Sequence, residues 1–187
     1  MKPFHRFFWT LALLLFATGA VVFAATMKIE GTPVPLRPKP DMSSMQFLIG
    51  TWTCTDLSSR RPGPFTTTEV YSMDPSGYWV VRDSTIHKAS WISSEVHSQT
   101  KYTYDAAAKR WIRITTGDQG AYAVATAGMP IAGKKTYTYV IQNKAPDIAS
   151  YAPEAYVKVS DTKKTMTTSF TETNGRVVTV KETCTKS

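Results

Sequence analysis

Few residues of this chain could do chemistry, and their types narrow what that chemistry could be. Glu69 and Arg82 lie on two alternating runs, 65–73 and 78–86, joined by Asp74-Pro75-Ser76-Gly77. Pairing Met73 with Tyr78 across that turn sets Tyr71 opposite Val80, Glu69 opposite Arg82, Thr67 opposite Ser84 and Phe65 opposite Ile86, on one largely apolar face. The other face, with Thr66 opposite Thr85 and Thr68 opposite Asp83, is more polar. An ion pair on an inward face is costly unless it is paired and hydrogen-bonded. The arginine fork there could hold a carboxylate or phosphate of a ligand; the same two residues also read as a salt bridge that holds nothing. Glu182 adds a second interior carboxylate by parity. Tyr71, Tyr78, Tyr102, Tyr104, Tyr122, Tyr137 and Tyr139 each join apolar area to a hydroxyl, which suits an amphipathic pocket, although aromatics in strands are more often plain core.

Other chemistries lack their residues. No nucleophile elbow, phosphate loop, metalloprotease helix or dinucleotide fingerprint is present, so no catalytic residue is expected and a non-catalytic role is favoured. Glu69, Asp83 and Arg82 could still serve an isomerase- or cyclase-like cavity as polar groups. His87 and His97 have no cysteine or carboxylate at zinc-ligand spacing and read as surface residues; no metal and no cofactor is expected. The basic pairs Arg60-Arg61, Lys109-Arg110, Lys134-Lys135 and Lys163-Lys164 each fall in a predicted turn, where solvated charge is the simple reading, and no nucleic-acid-binding module surrounds them.

The elements that must position these residues are strands. Thr, Ser, Tyr, Val and Trp crowd the second half, apolar residues make up 42% and charged residues 19%, an ordinary globular balance with a β bias. After Gly50 the apolar period is two, with turn signals about every ten residues. Strands are predicted at 51–56, 65–73, 78–86, 95–104, 110–116, 120–127, 135–142, 155–160, 165–172 and 176–184. In the hairpin after residue 95, Val96, Tyr102, Tyr104, Ile112 and Ile114 are assigned to the inner face, and His97, Gln99, Lys101 and Arg113 to the outer. The short connections need no helical crossover. The fold expected is all-β, a single up-and-down antiparallel barrel of eight to ten strands over 42–187, preceded by a short helix in which Met42, Met45, Leu48 and Ile49 recur after Asp41. Closing a meander makes its first and last strands neighbours, so Cys54 and Cys184 are expected to form a disulfide across that seam.

Upstream, residues 1–24 read as a signal peptide: Lys2 and Arg6, then an apolar run from Leu11 to Phe16, then Val22-Phe23-Ala24 as a cleavage site. The uncharged run 7–26 also approaches the length of a membrane anchor. Cleavage after Ala24 takes the formal net charge from +8 to +6 and leaves no membrane span. Residues 25–41 form a proline-rich spacer. The protein is thus expected outside the cytoplasm, periplasmic or extracellular.

Phe47-Leu48-Ile49-Gly50-Thr51-Trp52, a short helix running into Gly-x-Trp at the first strand of a meander, resembles the opening of lipocalin-like calycin barrels. Together with Tyr104-Asp105 to Lys109-Arg110-Trp111 it also resembles a group of uncharacterised bacterial exported proteins. The resemblance implies Trp52 packed across a closed barrel end, a ligand cavity toward the other, and an arginine near the chain end over the tryptophan, for which Arg176 is a loose candidate. Haem-binding relatives use a histidine from a late strand, and none is present here. The function these readings imply is an exported protein that holds a small apolar or amphipathic molecule in a barrel cavity, with Arg82, Glu69, Tyr71, Tyr102 and Tyr104 as binding residues. A barrel-cavity enzyme or a structural module are the alternatives. A membrane barrel fits poorly, because the outward parity carries Thr66, Thr68, Gln99 and Lys101.

Overall fold

A computed structural model of the protein describes residues 37–130, 135–143 and 145–187. The expectations for a signal peptide at 1–24 and for most of the spacer at 25–41 fall outside these residues. A 3-10 helix, Ser43–Leu48, is followed by eleven described strands: β1 (Gly50–Ser58), β2 (Phe65–Met73), β3 (Val80–Ile86), β4 (Val96–Asp105), β5 (Arg110–Gly117), β6 (Tyr122–Gly128), β7 (Thr136–Ile141), β8 (Ile148–Tyr151), β9 (Glu154–Lys158), β10 (Lys163–Glu172) and β11 (Val177–Lys186). All pairings are antiparallel and join consecutive strands, save that β7 pairs with β9, β8 pairs with β10, and β11 closes onto β1. The result is a closed, ten-stranded, lipocalin-like barrel, as expected. The strand that sequence patterning missed, β8, extends the line of β9 along β10: Tyr151 faces Phe170 and Ala155 faces Thr167. Pro153, which has no N–H to give the ladder, interrupts the two.

The seam forms as parity demands. Cys54 stands directly opposite Cys184 in the β1–β11 register, and the two form a buried disulfide spanning 130 residues of sequence. Trp52 is fully buried near the barrel end covered by the 3-10 helix, its Nε1 donating to Leu48 O at 2.7 Å, with Met42, Met45 and Leu48 in the same core. Arg176 does not cover this ring. It is spent on Glu172 in its own hairpin (2.7 and 2.9 Å). Lys186 takes the place instead, its Nζ 5.6 Å from the Trp52 ring centre and 3.0 Å from Phe47 O. That close approach explains Gly50, whose φ of 126° is open to glycine and whose absent Cβ would come within 2.8 Å of Lys186 Cε.

Two sequence-based registers need correction. The β2–β3 connection closes with Asp74 N on Trp79 O (2.9 Å), a longer loop than a four-residue turn, so Tyr71 faces Arg82 and Glu69 faces Ser84. The slip is two residues and leaves every side chain on its expected face. In the β4–β5 hairpin, Asp105 pairs with Arg110, so even-numbered residues of one strand face odd-numbered residues of the other. Trp111, Arg113 and Thr115 therefore point inward opposite Tyr104, Tyr102 and Thr100, and Ile112 and Ile114 point outward, the reverse of the expected parity. The Lys163-Lys164 pair is not a turn. It opens β10, and Lys164 is wholly buried.

Replacing both cysteines by alanine removes a cross-link that limits the unfolded chain. It should lower stability by about 2–5 kcal/mol, seen as a fall in the urea midpoint. An unchanged midpoint would mean that β1 and β11 hold the barrel shut without it.

Candidate functional site

The inner wall pairs its charges between strands separated in the sheet, β2 with β10 and β5 with β9, as well as between the neighbours β2 and β3. Glu69, on β2, is the hub. Its Oε1 accepts from Arg82 Nη1 of β3 at 2.6 Å, and its Oε2 accepts from the Tyr71 hydroxyl at 3.0 Å and from Lys164 Nζ of β10. Lys164 Nζ also donates to the Tyr71 oxygen (3.1 Å) and, at 3.5 Å, to Glu182 Oε1 of β11. The rings of Trp52, Tyr71 and Tyr156 lie 5.6, 5.1 and 5.2 Å from the same nitrogen, a cation among π-faces. Arg82 uses its second terminal nitrogen on Thr100 Oγ1 (2.8 Å), which in turn meets Thr115 (3.0 Å).

A second ion pair sits farther round the wall. Arg113 of β5 grips Glu154 of β9 with both terminal nitrogens, the Nη2–Oε2 bond measuring 3.2 Å, and its guanidinium lies 4.7 Å from the Tyr139 ring centre. Between these groups is a cavity of about 240 Å³ lined by Arg82, Tyr102, Arg113, Thr115, Glu154, Tyr156 and Glu182, with Ala123, Ile141, Tyr151 and Met166 supplying apolar wall. The Nε–H groups of both arginines are buried and have no hydrogen-bond partner among the described residues. Each buried donor left unmade costs about 1–3 kcal/mol.

The interior carboxyls differ in charge preference. Burial pushes Glu69 upward, but Arg82 and Lys164 outweigh it and hold the carboxyl below the ordinary range. Glu182 is also raised by burial and by the Glu69 charge, and Lys164 and Arg82 compensate only in part, leaving it at about 7 against an ordinary 4.5. Asp56, directly opposite Glu182 across the seam, is raised by burial despite the bond from Thr67 Oγ1 (2.6 Å). One interior thus holds both a carboxylate kept ionised by its cations, Glu69, and an acid poised near neutrality, Glu182.

Of the expected binding residues, Arg82 and Tyr102 line the cavity. Glu69 and Tyr71 lie behind it, engaged with Lys164, and Tyr104 packs against Trp111 with ring centres 5.3 Å apart. Arg113, Glu154, Tyr156 and Lys164 were not legible as site residues, although the alternation of Glu154 with Tyr156 could have signalled an inward carboxylate. Asp83 stands on the outer face, where Gln99 Nε2 donates to it at 3.0 Å, which removes it from the interior. His87 and His97 lie outside the barrel too, bonded to Thr68 (2.7 Å) and Thr85 (3.1 Å). Sulfurs and carboxylates of Cys54, Cys184, Glu69 and Glu182 cluster at metal-like spacing, but the disulfide occupies both sulfurs.

No family model matches the chain, and no curated protein matches it. Its fold is similar to that of the S-type phycobiliprotein lyase from Guillardia theta, with a TM-score of 0.54 over 78% of this chain and 91% of that one, at 9% identity. A protein of unknown function from the DUF3598 family of Nostoc punctiforme aligns over 84% of this chain and 53% of that one, at 15% identity and a TM-score of 0.39. The first likeness is one of fold, and it corrects the expectation of a non-catalytic protein. A barrel of this architecture serves a lyase, so missing sequence motifs do not mark this chain as a non-enzyme. No helix among the described residues is long and apolar enough to cross a membrane.

The Glu182 environment has a sign that can be measured. The unfolded chain ionises Glu182 near the ordinary 4.5, while the native state holds its proton to about 7. The unfolded state therefore binds fewer protons across that window, and native stability falls as pH rises through it. Glu182→Gln removes this slope and should gain about 1–3 kcal/mol relative to the wild type between pH 4 and pH 8. Parallel urea titrations of the two proteins check it, and parallel stability curves would show that Glu182 titrates normally.

Proposed function

We propose that the protein is an exported binding protein that holds a small amphipathic molecule bearing acceptor oxygens, a carboxylate above all, in the barrel cavity. The observation that carries this reading is the pair of buried arginine Nε–H donors beside a cavity that also has an apolar wall of Ala123, Ile141 and Met166. Glu154 satisfies Arg113 at its terminal nitrogens, and Glu69 and Thr100 satisfy Arg82 at its own. The fork of either arginine is therefore already spent, and what remains to a ligand is the Nε–H edge. Glu182 in its acid form is a third donor on the same wall. Three donors and few free acceptors favour an acceptor-rich ligand over a cation.

The volume limits the ligand's size. A cavity of about 240 Å³ is smaller than the roughly 300–1,000 Å³ typical of sites for drug-sized molecules, so a single ring with a short acidic side chain is the scale that fits. The likeness in fold to a phycobiliprotein lyase adds support for a barrel of this kind handling a small molecule. Export rests on the basic, apolar and small-residue regions of 1–24.

Phenylacetate and phenylpyruvate are suitable probes. Isothermal titration should give binding in the micromolar to millimolar range for the wild type and none for Ala123→Phe, which fills the cavity from β6. Equal affinity in both proteins, or none in the wild type, would remove the cavity reading. For export, the mature protein isolated from its own host should begin at Ala25 by N-terminal sequencing. Protein retaining Met1 in the cytoplasmic fraction would contradict it.

A further inference from the structure

Among the described residues, four carboxyls face the barrel interior around the cavity and behind it: Asp56, Glu69, Glu154 and Glu182. Only Glu154 and Glu182 line the cavity itself. Glu154 is clamped by both terminal nitrogens of Arg113, so both of its oxygens are already engaged. Glu182 has a single, long contact to Lys164 at 3.5 Å, so its carboxyl is the one that reaches the cavity without being spent. Across the same cavity stand Arg82 and Arg113, whose unpartnered Nε–H groups are suited to an oxygen that gains negative charge.

Resting on the binding reading above, we infer that Glu182 is a catalytic proton-transfer group, interconverting the keto and enol forms of a bound small carbonyl acid. In the forward step the Glu182 carboxylate takes a proton from the carbon next to the carbonyl. The C–H electron pair becomes the new carbon–carbon double bond, and the carbonyl pair moves onto oxygen, where an arginine Nε–H accompanies the developing enolate. Return of the proton from the Glu182 carboxyl to the enolate oxygen completes tautomerisation; trade of that carboxyl proton with solvent, followed by delivery to carbon, completes exchange. Atoms and electrons balance with no co-reactant. A general base works best when its proton affinity sits near the working pH, and Glu182 at about 7 meets that condition. The charged and titratable groups facing it are Asp56 on β1, Glu69 and Tyr71 on β2, Arg82 on β3 and Lys164 on β10.

The test uses the mature protein and phenylpyruvate in deuterium oxide, following loss of the C3 proton signal by NMR. The wild type should accelerate exchange over buffer, with a rate that rises as pH passes about 7. Glu182→Gln, whose amide N–H keeps a donor at that position, should still bind phenylpyruvate yet exchange it about 100-fold more slowly. Binding without acceleration, or equal rates in wild type and Glu182→Gln, overturns the inference and leaves the binding reading standing. If phenylpyruvate does not bind, the binding reading falls and the inference with it. Near-UV circular dichroism of Glu182→Gln establishes that its loss is not one of folding.

Discussion

The hydrogen-bonded ion cluster on Glu69 is the constraint on which the interior is built. One carboxylate on β2 accepts from Tyr71 on its own strand, from Arg82 on β3 and from Lys164 on β10. Those cations reach it from two sides of the barrel, and Lys164 in turn touches Glu182 on β11. A lysine ammonium with no exposed surface is tolerable only with such partners, since an unpaired buried charge costs far more than any neutral packing defect. The cluster also orders the remaining charges. With Arg82 and Lys164 committed chiefly to Glu69, too little positive field is left for Glu182, and its carboxyl keeps its proton to near neutrality. The asymmetry between the two glutamates follows from the count and position of cations, not from any difference between the side chains.

Much of the frame can be read from the residue pattern. Turn chemistry at Asp74 to Gly77, Asp105, Gly120 and Gly175, together with period-two runs, locates ten of the eleven strands, and the meander logic brings Cys54 to Cys184. What fails is the choice of face where charge and hydrophobicity disagree. Ile112 and Ile114 attract an inward assignment and Arg113 an outward one, because apolar residues are usually buried and arginine usually is not. The hairpin register reverses this, and the reversal is stable because Glu154, forty-one residues further on, supplies the partner. Lys164 fails for the same reason. Nothing local to Lys163-Lys164 reveals a carboxylate ninety-five positions away. A single-strand pattern reports on burial; it carries no information on which distant strand brings the counter-charge.

The polar interior and the covalent seam also belong together energetically. Buried ion pairs are often no more stable than apolar side chains of the same volume, and replacing them is neutral or stabilising by about 1–4 kcal/mol. Two such clusters, with two unbonded arginine donors between them, add little stability beyond what an apolar filling would supply. The disulfide contributes in the opposite direction, on the order of 2–5 kcal/mol. It does so beside the carboxylate cluster, since Cys54 and Asp56 are consecutive inward positions of β1 and Cys184 and Glu182 are consecutive inward positions of β11. The seam where strand pairing must hold is therefore also the place where two inward carboxyls, Asp56 and Glu182, face each other across the ladder. Like groups placed so oppose pairing when both ionise, and a cross-link one inward position away keeps β1 and β11 in register whatever the protonation state of the pair.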